Sequence, residues 1–346
     1  MLTDCPSPYQ VELFNEIEAR GECELGVAYL RQRDPNRRWK SPEIAHATIS
    51  LDEAHVRVRD ADLVVFNYYR HANAEQLIRE RTTRGGPWCF WGERPGFRQP
   101  AWAGRLLRKW KLSRLHATTA PIWGIGRFAI DGYRREFGPR RTYFNLPYFS
   151  NLKRFGDLER KGSGRERVFL FSGSLTARKG VDLLARAFVR LAGEMPNAQL
   201  RIVGEGELRE RIESTLRRVS ERVEFVGFKD WDELPDEYAR ADVLCVPSRY
   251  DGWGLVVPEG LAAGLPVIAT DRMGAALEFL ETGRNGWLIP AGDEDAILNA
   301  MREAASLPLA AMSGNARQSV SSHTLQDGAT RFANFAQQSV SSAANV

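Results

Sequence analysis

Cysteine is scarce in this chain of 346 residues, and its spacing follows no metal-binding or disulfide pattern. The four cysteines, Cys5, Cys23, Cys89 and Cys245, are scattered, and no two of them form a Cys-x-x-Cys pair. A zinc site of that kind and a dense disulfide framework are therefore excluded. The pattern favours reduced thiols and a cytoplasmic protein.

Long hydrophobic runs and a strong net charge are also missing. No apolar stretch approaches the roughly 20 residues that span a bilayer, and the N-terminus has no signal-peptide pattern. The net charge of +4 is too small to indicate nucleic-acid binding. The five histidines lack the spacing of metal ligands. With 43% hydrophobic and 27% charged residues, we expect a globular protein without a nucleic-acid partner.

Strand and helix signals alternate along the chain, which predicts an α/β fold with parallel sheets. In the first half, strands are predicted at 25–30, 61–69, 87–93 and 141–148, and helices at 11–20 and 74–84. In the second half, six apolar runs begin near residues 168, 199, 223, 241, 265 and 286. A helix is predicted over 180–195, where apolar residues recur every three or four positions.

A polar, charged segment over 151–167 is the best candidate for a linker between two domains. The length of the chain also favours two domains. We therefore predict an N-terminal domain over 1–150, a C-terminal domain over 151–325 and a final helical stretch over 326–346.

The most informative segment is YDGWGLVVPEGLAAGLPVIATD, residues 250–271. It sets Asp251 and Glu259 eight positions apart, between two predicted buried strands. A glycine-rich turn that leads from a strand into a helix offers backbone N–H groups to a phosphate. Here the helix begins near Leu255, and Glu259 lies where a ribose can reach it. The segment therefore predicts a nucleotide-sugar site.

This segment resembles the signature of retaining glycosyltransferases of the GT-B fold, in the group that family 4 represents. The signature is an acidic residue, seven residues, then Glu, followed by a small-residue helix and a Gly-x-Pro-Val strand. The matching residues are Asp251, Glu259, Gly264, Pro266 and Val267. The first acid is usually Glu in the family and is Asp here. The resemblance covers roughly residues 165–300, including 169–188 and 201–212.

The resemblance implies the GT-B architecture, two Rossmann-like parallel-sheet lobes that face each other across a cleft. The first lobe would carry the acceptor side and the second the nucleotide-sugar donor, and the final helix would cross back to the first lobe. The implied reaction moves a sugar from a nucleoside diphosphate to a hydroxyl of a saccharide or lipid-linked acceptor with retention, in polysaccharide or glycolipid synthesis. It requires no dedicated protein base, no metal ion and no cofactor.

The same resemblance assigns roles to residues of the second lobe. Lys179 would hold the diphosphate, and Arg178 is the local candidate to replace a second cation that the family usually has where Ser174 stands. Asp251 would hold the donor sugar and Glu259 the ribose. The other donor-side residues are Gly204, Phe228 beside the base, and the N–H groups of Gly252, Trp253, Gly254 and Leu255. A tight turn explains Gly204 equally well, and a core position explains Phe228 equally well.

For the acceptor side, we expect residues near the carboxyl ends of the first lobe's strands, where open α/β sheets bind ligands. Glu93 and Arg94 lie at the end of the predicted strand 87–93, and His71 follows the preceding strand. We predict these three residues on the acceptor side, and Glu93 joins Lys179 and Asp251 in the predicted catalytic set. A structural salt bridge of Glu93 and Arg94, and an exposed His71 without function, stay open as alternatives.

Residues 94–114 combine seven cations with interleaved Trp102, Leu106, Leu107, Trp110 and Leu112. A basic amphipathic segment with tryptophans is typical of peripheral docking on an anionic membrane. A solvated helix that packs its Leu/Trp stripe inward explains the pattern equally well, so both interpretations stay open.

Two Asp-x-Asp triplets, 60–62 and 230–232, have the form of a metal-binding motif of the other large glycosyltransferase fold. Asp also occurs just before strands and at helix N-caps for local hydrogen-bonding reasons, so we predict no metal site. Two other functions remain open, a nucleotide-sugar 2-epimerase and a catalytically silent GT-B binding subunit. Ser174 and Asp251, which depart from the family pattern, keep the second of these open.

Overall fold

The chain forms two compact units, each built around its own parallel sheet. The computed structural model describes residues 1–33, 39–40, 42–68, 71–96, 101–156, 158 and 166–344. The first unit consists of Met1–Ser150 with Leu325–Val346, and the second of Asn151–Thr324. Among the helices in these ranges, none is long and apolar enough to cross a bilayer.

In the first unit, the described residues form a seven-stranded sheet in which every pairing is parallel. The strands are β1 (Leu2–Thr3), β2 (Val27–Tyr29), β3 (Thr48–Ile49), β4 (Val64–Phe66), β5 (Trp88–Gly92), β6 (Ile122–Gly124) and β7 (Tyr143–Asn145), in the order β3-β2-β1-β4-β5-β6-β7. The core beneath them is rich in aromatic side chains, among them Phe66, Trp88 and Phe90.

The described residues before position 150 form six helices. They are α1 (Pro8–Arg20), α2 (Leu51–Arg57), α3 (Ala72–Thr83), α4 (Ala101–Lys111), α5 (Ser113–His116) and α6 (Arg127–Phe137). Local sequence fixes several of their ends. A proline opens α1, and Gly21 ends it in the left-handed conformation at φ 62°. Ser50 and Glu53 form a reciprocal capping box at the start of α2.

In the second unit, all six predicted apolar runs are strands. They are β8 (Arg167–Ser172), β9 (Ala198–Val203), β10 (Val223–Gly227), β11 (Val243–Val246), β12 (Val267–Thr270) and β13 (Gly286–Ile289), in the parallel order β10-β9-β8-β11-β12-β13. The helices are α7 (Lys153–Gly156), α8 (Val181–Glu194), α9 (Arg209–Leu216), α10 (Leu234–Ala239), α11 (Val256–Ala262), α12 (Gly274–Phe279), α13 (Glu294–Ser306) and α14 (Ala310–Ser319). Short 3₁₀ turns lie at Ala177–Lys179 and Arg217–Arg222.

The last helix, α15 (Leu325–Ala344), belongs to the first unit although it follows the second in sequence. It packs against α1, and its Phe332 meets the ring of Trp123 edge to face. The Trp123 indole N–H donates to the Ser339 hydroxyl at 3.2 Å. These buried contacts attach the C-terminal helix to the first sheet.

The strand order reverses once in each sheet, between β1 and β4 in the first and between β8 and β11 in the second. At such a switch point the connections leave in opposite directions and open a crevice at the carboxyl ends of the strands. The loops after β8 and β11 carry residues 173–180 and 247–255. The topology therefore brings most of the predicted donor-side residues to one place.

Candidate functional site

Lys179 and Asp251 meet at the switch point of the second sheet. The Lys179 Nζ donates to Asp251 Oδ2 at 2.6 Å, and the two side chains are 16% and 14% exposed. A short, partly shielded ion pair of this kind is stronger than a surface pair, because less water screens it. The two predicted catalytic residues of this unit therefore form one charged centre that solvent still reaches.

A close approach of two loops creates this centre. Gly180, which follows Lys179, has φ 71°, and a Cβ at that position would lie 1.9 Å from the carbonyl oxygen of Pro247. Only glycine fits such a contact at a positive φ. The glycine thus lets the 3₁₀ turn with Lys179 lie against the loop that carries Asp251.

Arg178 and Ser174 lie beside the centre with different roles. Arg178 is half-exposed, and its Nη1 lies 3.7 Å from Asp251 Oδ2 and donates to the Tyr250 carbonyl at 3.2 Å. Ser174 is exposed in the same loop. Arg178 therefore lies beside the Lys179–Asp251 pair, and its role as the second cation stays a prediction.

The turn 252–255 leads into α11, as the sequence predicted. Gly254 has φ 90°, and Leu255 is the N-cap residue of the helix. The Trp253 side chain is 1% exposed and packs on Phe279 and His323. Trp253 thus anchors the turn in the core, and its predicted donor contact is left to its backbone N–H.

Glu259 accepts a hydrogen bond from a buried tyrosine. The Tyr238 hydroxyl donates to Glu259 Oε2 at 3.2 Å. Burial raises the pKa of Tyr238 well above its ordinary value, and the nearby charge of Glu259 adds to this shift. The tyrosine therefore stays protonated and holds the carboxylate in one orientation.

Gly204 and Phe228 follow the next two strands of this edge. A Cβ at Gly204, where φ is 129°, would lie 2.0 Å from the Gly173 carbonyl oxygen, so backbone packing by itself requires a glycine there. Phe228 is 42% exposed. Its ring therefore does not occupy the core position that was the alternative interpretation.

The sequence analysis missed Arg249. Its guanidinium binds both oxygens of Asp182 at 2.7 and 2.8 Å and also donates to the Ala177 carbonyl, and its backbone N–H donates to the Arg178 carbonyl at 2.8 Å. Burial opposes ionisation of Asp182, but the hydrogen bonds and charge of Arg249 outweigh it and lower the pKa of Asp182. Arg249 thus clamps the turn that carries Lys179. Its place in the loop after β11, at the carboxyl edge of the sheet, is the signal that could have identified it.

The carboxyl edge of the first sheet surrounds a cavity of about 480 Å³. Its walls come from the loops after β1, β4 and β5, from the start of α1 and from one side of α4; they include Asp4, Tyr9, Asn67, Glu93, Arg94 and Arg108. The cavity lies at the switch point between β1 and β4, where ligands bind in open α/β sheets.

The predicted acceptor-side residues divide into two groups. Glu93 and Arg94 line the cavity; the Glu93 carbonyl accepts the Tyr133 hydroxyl at 2.7 Å, and the Arg94 guanidinium lies 4.3 Å from the centre of the Phe128 ring. His71 is instead the N-cap residue of α3, where its Nδ1 accepts from the Asn73 backbone at 3.3 Å. The structure thus gives His71 a local structural role and places it outside the cavity walls.

The Asp-x-Asp triplets have local backbone partners. Asp60 and Asp62 lie between α2 and β4, and the Asp62 carbonyl accepts from buried Arg81 at 3.2 Å. Before α10, the Asp230 carboxylate accepts from the next backbone N–H at 2.9 Å. The expected side-chain cap of α10 is wrong in detail, since the N-cap residue is Glu233. In the described ranges, no three His, Cys, Asp or Glu side chains cluster as metal ligands do.

The inward-packing interpretation of the 94–114 stripe is wrong for three of its residues. Trp102, Leu106 and Trp110 on α4 are 70%, 62% and 72% exposed, while Leu107 faces the cavity and Leu112 is buried. Residues 97–100 of this segment, among them Arg98, lie outside the described residues.

Comparisons with known sequences place the second unit in one family. The sequence model described as "Glycosyl transferases group 1" matches residues 157–319. The chain is 28% identical over 300 residues to a GDP-mannose-dependent monoacylated alpha-(1-6)-phosphatidylinositol monomannoside mannosyltransferase of Corynebacterium glutamicum, covering 78% of this chain and 72% of that protein.

Other relatives match over shorter stretches. A GDP-mannose-dependent alpha-(1-6)-phosphatidylinositol monomannoside mannosyltransferase of Mycolicibacterium smegmatis is 31% identical over 218 residues, 58% of this chain and 56% of that protein. An uncharacterised glycosyltransferase of Methanocaldococcus jannaschii is 38% identical over 128 residues. That match spans 36% of this chain and about a third (32%) of the relative's own length.

Solved structures match the whole chain at low identity. HepE of Anabaena in complex with UDP superposes with a TM-score of 0.77 at 15% identity, covering 97% of this chain and 98% of that one. Sucrose-phosphate synthase from Thermosynechococcus elongatus superposes with a TM-score of 0.74 at 20% sequence identity, covering 99% of this chain and 100% of that one. Such identities establish the fold alone. Residues 157–319 of this chain therefore match the group 1 glycosyltransferases, a family of transferase enzymes, and the chain has the GT-B fold.

Proposed function

We propose that this protein is a retaining glycosyltransferase that moves a sugar from a nucleoside diphosphate to an acceptor hydroxyl without a metal ion. The observation that carries the proposal is the Lys179–Asp251 pair at the second switch point, 2.6 Å from Nζ to Oδ2. A nucleotide sugar joins a polyanion to a polyhydroxylated ring. One cation beside one carboxylate offers a matching partner to each part.

Donor binding replaces one partner of Lys179. The diphosphate competes with Asp251 for the ammonium group, and Asp251 then accepts hydrogen bonds from donor sugar hydroxyls. As the bond to the sugar breaks, negative charge grows on the leaving diphosphate, and Lys179 stabilises it.

Glu259 holds the ribose in this proposal. A carboxylate can accept hydrogen bonds from both ribose hydroxyls, and the bond from Tyr238 keeps it in position. Phe228, with its exposed ring, offers an apolar surface to the base. These contacts bind the nucleoside without discriminating between ground and transition states.

The relatives support the donor class and suggest the acceptor class. Two of them are named for GDP-mannose and for phosphatidylinositol monomannoside, and HepE has been solved with UDP-glucose. We therefore assign a nucleoside-diphosphate sugar as donor and a saccharide or lipid-linked saccharide as acceptor, bound in the cavity with Glu93 and Arg94. None of the four cysteines forms a disulfide in the part of the chain that the structure describes, which supports a cytoplasmic location.

Incubation with UDP- and GDP-sugars, with and without a mixture of saccharide and glycolipid acceptors, tests the proposal. We expect nucleoside diphosphate release that depends on the acceptor, and a product whose anomeric configuration, measured by proton NMR, equals that of the donor. The initial rate should persist in excess EDTA.

The alternatives give different results in the same assay. A 2-epimerase would release nucleoside diphosphate without any acceptor, and a silent binding subunit would consume no donor. Loss of activity in EDTA with recovery in Mn²⁺ would contradict the metal-free mechanism, and the Asp-x-Asp triplets would then be the candidate metal ligands. An inverted product would contradict retention.

A further inference from the structure

Helix α4 presents an apolar stripe to solvent. Trp102, Leu106 and Trp110 recur every four residues and therefore lie on one side of the helix. Their exposed fractions of 70%, 62% and 72% are the three largest among the exposed large hydrophobic residues of the described chain. The others, Ile44, Val56, Phe228 and Leu307, lie far apart in sequence. Single exposed apolar residues are ordinary, whereas a contiguous stripe marks an interaction surface.

Two cations border this stripe. Arg105 and Lys109 are exposed on the same side of α4, and neither forms an ion pair with any residue in the described ranges. We call these five residues, Trp102, Arg105, Leu106, Lys109 and Trp110, the docking surface. The sequence over 101–116 contains no Asp or Glu, so no local acid offsets the positive charge.

The opposite side of the helix is already engaged. Leu107 and Lys111 line the cavity, and Arg108 binds Glu136 of α6 at 2.6 Å. Leu112, directly after the helix, is buried in the core of the first unit. The orientation of α4 is therefore fixed by its inner side, and the docking surface points outward without serving the fold.

We propose that the docking surface seats the protein on an anionic bilayer. Tryptophan prefers the boundary between headgroups and acyl chains, since its ring is apolar and its N–H polar. Leu106 between the two tryptophans adds apolar area, and the long stems of Arg105 and Lys109 let their charges reach lipid phosphates. Such cations strengthen binding to an anionic surface. A protein surface usually carries charges of both signs, so a site for a protein partner would not explain why residues 101–116 contain cations but no Asp or Glu.

The geometry couples docking to the cavity. Since one side of α4 meets the bilayer and the other forms a cavity wall, a docked protein holds the cavity close to the membrane surface. If the proposed function is right, a lipid-linked acceptor then reaches the cavity from the bilayer. The docking itself does not depend on the proposed chemistry, and vesicle binding measures it separately.

Co-sedimentation with vesicles tests the proposal. We expect the full chain to bind vesicles of phosphatidylcholine with phosphatidylglycerol, to bind phosphatidylcholine alone weakly, and to dissociate as salt is raised. The variant W102S/L106S/W110S should lower the partition coefficient at least about tenfold. The variant R105E/K109E should lower it about tenfold on anionic vesicles only.

Matched controls come from the rest of the surface. V56S removes another exposed apolar side chain, and R217E/R218E reverses two exposed charges of the second unit; neither should change binding. Circular dichroism checks the fold, and the charge-reversal variant keeps the test valid if the triple serine variant misfolds. The proposal is overturned if the full chain does not bind anionic vesicles, or if both docking-surface variants bind them as strongly as wild type. It is also overturned if ultracentrifugation shows instead a self-association that W102S/L106S/W110S abolishes.

Discussion

The two sheets carry polar side chains at their carboxyl edges in different ways. In the second unit the charges are paired at short range: Lys179 with Asp251 at 2.6 Å and Arg249 with Asp182 at 2.7 Å. In the first unit the same edge surrounds a cavity of about 480 Å³ with mixed aromatic and charged walls. Fixed charges suit one small polyanion, whereas a roomier mixed cavity suits a ligand with apolar and polar parts. One topology thus supports two kinds of recognition.

The strongest way to break this comparison is to remove the cation of the second unit. We expect K179A to lower turnover about a hundredfold, or roughly 3 kcal/mol, because Lys179 stabilises charge that grows in the transition state. The melting temperature should change little, since Gly180 and Arg249 still hold the turn. Steady-state kinetics and thermal denaturation give both values. R178A is the control and should lower turnover less than K179A does. If the turnover of K179A stays within a few-fold of wild type, Lys179 does not bind the diphosphate.

The second largest effect on turnover should come from Arg249, which holds the turn that carries Lys179. We expect R249A to lower turnover about tenfold, since a displaced Lys179 stabilises the diphosphate less well. R249K should recover part of the loss, and R249A combined with D182N should cost no more than either change by itself.

The matched control for this clamp is R302A. Arg302 makes the same bidentate contact, to Glu194 at 2.6 and 2.7 Å, and is 38% exposed like Arg249. It lies away from the site, so its removal should leave turnover unchanged. Equal losses of turnover in R249A and R302A would show that Arg249 contributes only to the stability of the fold and does not position Lys179.

Nucleotide affinity sharpens the comparison within the second unit. We expect E259A to weaken binding of the preferred nucleoside diphosphate about tenfold, because a hydrogen bond to a charged group is lost. D251A should weaken it less, since the free diphosphate lacks the donor sugar and Lys179 is released from its partner. Calorimetric titration measures both constants, and equal losses would contradict the division of roles.

The smallest effect concerns the first unit. We expect E93Q to raise the KM for acceptor about fivefold and to leave nucleoside diphosphate affinity unchanged, because Glu93 lines the cavity of the first unit. E75Q, on α3 and outside the cavity walls, is the control. A weaker nucleotide affinity in E93Q would show that the two units do not divide the ligands as proposed.

The second unit was also the easier one to predict from sequence. Its strands β8 and β9 have six residues each and stand out as apolar runs. In the first unit, β1 and β3 have only two residues, too short for a periodic pattern, and both went unpredicted. The three-residue strand β6 also went unpredicted. Such strands are fixed by pairing with their neighbours, which a single sequence does not display.

The same limit applies to the candidate site. The signature identified Asp251 and Glu259 because the family pattern is local. The Lys179–Asp251 pair spans 72 positions and the Arg249–Asp182 pair 67, so only the strand order brings their members together. The direction of a side chain was equally hidden: Trp253 is buried within a predicted binding turn, and Trp102 is exposed on a predicted amphipathic helix.

Hydrogen–deuterium exchange with and without the preferred nucleoside diphosphate tests the central claim most directly. The account predicts that the largest protection falls on peptides of the second unit that cover 173–180, 226–229 and 250–262, and that K179A combined with E259A abolishes it. Protection confined to the cavity loops of the first unit, residues 4–10, 67–68 and 92–96, with no change in the second, would contradict it.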